Sequence, residues 1–148
     1  MPTYTVTSAN LTLSTSQKEK IAEAITQEHH GSTGAPGFFA QVIFRALDEG
    51  EHFIGGKTNR SPHVFVHGLI RAGRTEEVKQ SLMSGVRDRL LEIADVGQED
   101  VWIYLQDIAA PQMLEFGRFL PEPGAEDEWR RGISPQKLAD FARAGVAA

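Results

Sequence analysis

The feature that most restricts the fold is a change of hydrophobic period across Ile70-Arg71-Ala72-Gly73-Arg74-Thr75. Before it, His63 to Ile70 is rich in β-branched and aromatic types (Val64, Phe65, Val66) that suit a pleated, half-buried strand. After it, Val78, Leu82, Val86 and Leu90 recur every four residues, which marks one face of a helix reaching Val96. Thr75 is the natural N-cap, with Glu76 and Glu77 in the first turn. Gly73 relaxes the backbone where strand turns over into helix.

The start of the chain has the same order. Thr3 to Val6 alternates β-formers, and Ser14, Thr15 or Ser16 then caps a helix through Ile21, Ala24 and Ile25 to His29-His30, stopped by Gly31. Ser32 to Gly37 reads as a loop and Phe38 to Phe44 as a strand. A turn at Glu49-Gly50, a short strand at Phe53-Ile54 and a long flexible loop from Gly55 to Pro62 follow. Val101 to Gln106 is the last long strand. The tail is interrupted by Pro111, Pro121 and Pro123, with an extended piece at Arg118 to Leu120. A final helix opens at Ser134-Pro135 and is ended by Gly145.

Strand, helix, strand, strand, helix, strand amounts to two β-α-β pseudo-repeats, near 2–60 and 62–120, plus a tail helix over 134–145. The expected fold class is α+β: one domain over 1–148, a mixed four-stranded sheet with both helices on one face. The other face is left uncovered, which predicts a symmetric oligomer. The short pieces at Phe53-Ile54 and Phe119-Leu120 are then placed to pair across subunits.

Composition excludes several classes. A net charge of −5 without a basic run argues against nucleic acid. The absence of cysteine removes disulfides, thiol nucleophiles and thiolate metal sites. No apolar run approaches a membrane span and no secretory leader opens the chain, so the expected location is cytoplasmic.

Several residues could do chemistry. Arg71 and Arg74 flank a helix N-terminus that already presents positive charge. Either Glu76 and Glu77 neutralise them, or they form an anion site in which guanidinium forks and helix N–H groups hold a carboxylate or phosphate. His29 continues the Ile21–Ile25 stripe and should face the sheet, where the helix C-terminus favours a protonated ring. Pro2, once Met1 is removed, is a secondary amine able to exchange a proton near neutral pH. Glu115 sits among Met113, Leu114 and Phe116, a setting that raises a carboxylate's pKa unless a donor relieves it. Tyr104 shares a strand face with Trp102 and Gln106, opposite Ile103 and Leu105; by itself it reads as a buried tyrosine with a bonded hydroxyl. His63 and His67 are about 13 Å apart along one strand, too far to share a metal, and His52 stands alone. No metal site is expected.

Together these residues resemble the tautomerase superfamily, and within it the group around cis-3-chloroacrylic acid dehalogenase. The likeness runs from Pro2 to about Trp129. It is carried by Pro2-Thr3-Tyr4, Ala22-Glu23-Ala24-Ile25-Thr26 leading to His29, Ala40-Gln41-Val42, and Val66-His67-Gly68 through Arg71-Ala72-Gly73-Arg74. Val101-Trp102-Ile103-Tyr104, Gln112-Met113, Glu115-Phe116-Gly117-Arg118-Phe119-Leu120 and Pro123-Gly124 complete it.

The resemblance implies a trimeric, barrel-like assembly and a reaction that needs no cofactor. Arg71, Arg74 and His29 would hold the carboxylate of a small α,β-unsaturated acid. Glu115 and Tyr104 would deprotonate a water for attack at C3, and Pro2 would protonate C2. A 3-haloacrylate or propynoate would give malonate semialdehyde. The chain departs from the dehalogenase at the loop after the first helix, where Ala35 and Phe39 replace threonine and leucine. As residues lining the pocket they put halide and isomer selectivity in question. Two alternatives stay open: a keto–enol tautomerase acting on arylenolpyruvates or 2-hydroxydienoates with Pro2 as base, and a non-catalytic trimer that binds small anions.

Overall fold

A computed structural model of the chain describes residues 2–34, 40–122 and 124–146. Its centre is a four-stranded sheet of β1 (Thr3–Ala9), β2 (Gln41–Ala46), β5 (His63–Arg71) and β6 (Val101–Ile108), in the order β2-β1-β5-β6. β1 runs parallel to β2 and antiparallel to β5, while β5 and β6 are parallel. The sheet is therefore mixed, as the two β-α-β units require. Helices α1 (Thr15–Thr33) and α2 (Glu76–Ile93) pack on each other and on the same face.

The alternation along the strands explains which face is covered. Tyr4 and Val6 of β1, with Val64, Val66 and Ile70 of β5, are fully buried against Ile21 and Ile25 of α1 and Leu82, Val86 and Leu90 of α2. Gly68 lies between them for a steric reason. A Cβ there would come within 2.6 Å of both the Tyr4 ring and Leu105. The opposite face keeps Trp102 at 42% and Tyr104 at 58% exposure. Tyr104 is thus not the buried tyrosine its residue type suggests, because both helices lie on the other side of the sheet.

The helix ends follow their caps. Ser14 and Gln17 form a reciprocal capping box at the start of α1. Gly31 does not stop this helix, which continues to Thr33. Gly34 ends it in the left-handed conformation (φ 70°), its N–H donating to the His30 carbonyl at 2.8 Å. Thr75 caps α2 as expected, and the helix closes at Ile93, three residues before Val96, where Ala94 turns extended.

The Gly55 to Pro62 segment is not a long loose loop. Gly55 and Gly56, both at positive φ, join β3 (Phe53–Ile54) to β4 (Lys57–Thr58) in a tight hairpin. The Asn10 side chain then donates to the carbonyls of Asn59 and Ser61 at 2.8 and 3.1 Å, tying the following residues to the end of β1. A second hairpin joins β7 (Leu114–Glu115) and β8 (Arg118–Phe119). Two helices complete the chain, α3 (Glu126–Arg130) and α4 (Pro135–Arg143), of which only α4 follows from the sequence pattern. They form a small second core of Trp129, Ile133, Leu138 and Phe141. No helix among the described residues is long and apolar enough to cross a membrane.

Candidate active site

The start of β1, the C-terminal ends of β5 and α1, and the β7–β8 hairpin carry the residues of interest. Pro2 is buried, and its carbonyl accepts the Gln41 N–H at 2.9 Å, which starts the β1–β2 ladder. In the antiparallel register Thr3 faces Leu69, so continuing the ladder brings Pro2 level with Ile70, next to Arg71.

His29 faces inward, as the helix stripe requires, and is only 6% exposed. Its Nδ1 lies 2.8 Å from the Tyr4 hydroxyl, also buried. Burial, then the charges of Arg74, the chain terminus and Arg71, lower the His29 pKa to about 4. The helix C-terminus therefore does not give the protonated ring that its position suggests: desolvation and two guanidinium groups outweigh a half-charge dipole. Burial also pushes the Tyr4 phenol well above its ordinary value. At neutral pH both partners are uncharged. Tyr4 was not evident as a site residue from the sequence; the signal was available in its place on the Tyr4–Val6 stripe facing α1.

The arginines are not neutralised by the glutamates that follow them. Glu76 pairs with Lys79 at 2.6 Å, and Lys79 also reaches Asp107 at 3.1 Å. Glu77 is held by the Thr75 side chain and the helix backbone. Arg71 instead donates to the Pro121 carbonyl at 2.8 Å and forms an ion pair with Glu126 on α3. Arg74 has no hydrogen bond or ion pair to another described residue, and its charge is felt by His29.

Glu115 is half-buried at the end of β7. Burial raises its pKa above the ordinary carboxylate value. The hairpin turn beyond it has an unusual residue: Phe116 takes φ 51° and Gly117 φ 75°. A two-residue turn of this kind needs positive φ at both positions, which a bulky side chain adopts only under constraint. The constraint is aromatic packing, with the Phe116 ring edge-on to Trp129 and Phe141 at 6.0 and 5.6 Å between centroids.

Tyr104 is the residue that one chain does not bring to this cluster. It lies opposite His67 in the β5–β6 register and packs edge-on to Phe65 at 5.1 Å, on the uncovered face. His29 and Tyr4 lie on the covered face. The expected pocket residues Ala35 and Phe39 fall outside the described residues, as does Met1.

Two further cavities are separate from these groups. One of about 1010 Å³ lies toward the C-terminal end of β1, between Asn10, Phe44, Arg45 and Asn59. Another of about 280 Å³ on the uncovered face is lined by His52, His63, Phe65, Trp102 and Tyr104. His52 does not stand alone. The β3–β4 hairpin folds it back so that its ring lies 4.5 Å from that of His63. Among the described residues no group of three potential ligands gathers to hold a metal ion.

Residues 1–132 match the family model described as a putative oxalocrotonate tautomerase enzyme. The crystal structure of N1, a member of the cis-3-chloroacrylic acid dehalogenase family, is 33% identical and superposes with a TM-score of 0.83, covering 93% of this chain and 96% of that one. The chain belongs to the tautomerase superfamily. Within the superfamily, its likeness to N1 places it in the cis-3-chloroacrylic acid dehalogenase group. Native Ps01740 is 28% identical with a TM-score of 0.71, covering 76% of this chain and 99% of that one. The Q0 fused 4-OT wild type symmetric trimer has the same fold at 19% identity and TM-score 0.72, over 80% and 94% of the two chains. No curated protein is significantly similar to this chain.

Proposed function

We propose that this protein is a cofactor-independent hydratase or dehalogenase of small α,β-unsaturated carboxylates, with Pro2 as its N-terminal residue after removal of Met1. The observation that carries the reading is Glu115: a half-buried carboxylate whose pKa is raised by burial. A carboxylate of raised basicity and a secondary amine are a suitable pair for moving two protons in one reaction.

On this reading the cationic end of β5 binds the substrate carboxylate and draws electron density from C3. His29 adds a hydrogen bond. With Tyr4 donating to Nδ1, the proton of the neutral imidazole sits on Nε2, which can donate to the ligand. Glu115 takes a proton from water as its oxygen bonds to C3, and the Pro2 ammonium delivers a proton to C2. From 3-chloroacrylate the resulting chlorohydrin loses chloride and a proton to give malonate semialdehyde. Propynoate plus water gives the same product through its enol.

Tyr104 enters this site only from another copy, since a continuous sheet separates it from His29 in its own chain. A homotrimer using the uncovered face supplies it. The aromatic exposure of that face supports this arrangement.

The second reading, a keto–enol tautomerase with uncharged Pro2 as base, is favoured by the family description. It requires no activated water. One set of assays separates them. Malonate semialdehyde from 3-chloroacrylate or propynoate is measured for protein whose intact mass shows loss of Met1, alongside Pro2→Ala and Glu115→Gln. The hydratase reading expects turnover that falls at least about 100-fold in either variant. Undiminished turnover in Pro2→Ala rules out the role of the amine. Enol ketonisation that survives Glu115→Gln, with no hydration by the parent protein, selects the tautomerase.

A further inference from the structure

Arg71 has a carboxylate partner already. Its Nη2 donates to Oε1 of Glu126 and its Nη1 to the Pro121 carbonyl at 2.8 Å. The second oxygen of Glu126 accepts the Gly124 N–H at 2.8 Å. The Arg71 side chain is 9% exposed and that of Glu126 23%, so the pair is largely withdrawn from water. Burial acts to raise the Glu126 pKa, but the hydrogen bond and charge of Arg71 hold it below the ordinary carboxylate value.

A buried guanidinium without a counter-charge is strongly disfavoured. Any ligand carboxylate that reaches Arg71 must therefore exchange with one already in place. The setting of Glu126 suits such an exchange. It opens α3, directly after Gly124 (φ 96°) and Ala125. The rest of α3 is fixed from behind by Trp129, which is 5% exposed and donates from Nε1 to the Phe119 carbonyl at 2.7 Å. The Glu126 side chain can swing toward solvent while the helix stays anchored.

We propose that Glu126 is a tethered carboxylate that occupies the Arg71 fork in the resting site and is displaced by the carboxylate of the bound ligand. The proposal rests on the reading of Arg71 and Arg74 as the carboxylate-binding pair. Glu126 thereby sets ligand affinity and keeps Arg71 satisfied between turnovers, without touching the reacting atoms.

The test is binding of malonate, a small carboxylate that does not react. By calorimetry, Glu126→Gln should bind malonate about tenfold more tightly than the parent protein, because the competing charge is gone while the side-chain shape is kept. Adding Arg71→Ala should abolish that gain. In the unmodified protein, the ¹⁵N–¹H resonance of Gly124 should shift markedly at saturating malonate as it loses its acceptor. Equal or weaker binding by Glu126→Gln overturns the proposal. So does a Gly124 resonance that stays in place while malonate binds, a readout that holds even where the variant folds poorly. Both measurements are independent of turnover, so absence of hydratase activity would defeat the proposed reaction and leave this result standing.

Discussion

The Tyr4 hydroxyl and His29 Nδ1 lie 2.8 Å apart in the layer between sheet and helices, joining the first strand to the last turns of the helix that follows it. Neither group has water as an easy substitute, since Tyr4 is fully buried and His29 nearly so. The contact fixes the ring of a residue that feels the charges of Arg74 and Arg71.

Tyr4→Phe should therefore separate positioning from packing. The ring volume is kept, but Nδ1 is left buried without its partner, at a cost of about 1–3 kcal/mol in unfolding free energy. We expect kcat/KM to fall about tenfold, mostly through KM, as the imidazole loses its preferred tautomer. Urea unfolding and steady-state kinetics on the same preparation check both effects.

His29 also predicts an acid limb in stability. Its folded pKa of about 4 lies below the ordinary 6.5, so between these values the unfolded chain binds the extra proton. Stability is then fully present above about pH 6.5 and is lost as pH falls toward 4, by up to about 3 kcal/mol from this group. Glu115, with a raised pKa, acts in the opposite sense, losing stability as pH rises above the ordinary carboxylate value. Comparing denaturant midpoints of the parent protein and His29→Gln at pH 7 and pH 4.5 isolates the histidine. The parent should lose more stability than the variant.

Gly68 offers a purely steric check. An added Cβ meets Tyr4 and Leu105 at 2.6 Å, from opposite neighbours in a packed core. Gly68→Ala should destabilise by about 1–3 kcal/mol and lower activity by displacing Tyr4 from His29. A melting temperature equal to that of the parent would mean that the strand shifts more freely than the packing suggests.

Much of the fold was legible because the core-facing residues obey two simple periods. Leu82, Val86 and Leu90 turned out buried on α2, and Ile21, Ile25 and His29 on α1, as their spacing requires. What the sequence hid were contacts made at a distance by residues of ordinary local character. Glu126 lies 55 positions from Arg71, and nothing in its neighbourhood marks it as the partner. His52 reaches His63 only because two glycines reverse the chain between them. Gly31 could not be told from Gly34 as a helix stop, since that choice depends on which glycine adopts positive φ.

Tyr104 yields a prediction about assembly. With its ring on the uncovered face and His29 on the covered one, the proposed site is completed by a second chain. Tyr104→Phe and His29→Ala proteins, each weakly active, should regain part of the parent activity when unfolded together and refolded as a mixture. Mixed oligomers would contain some sites with both residues intact. No recovery in protein shown by mass to be mixed would place Tyr104 outside the reaction.

The tail helices have a consequence for chain length. Phe141 of α4 and Trp129 of α3 pack edge-on against the Phe116 ring, and these contacts support its disfavoured backbone. Its neighbour in sequence is Glu115. A chain cut back before α4 retains every residue of the proposed site, yet loses a contact that supports the turn beside Glu115. Truncations of this protein should accordingly be judged by what the last two helices brace, and not by how far they lie from the proposed site.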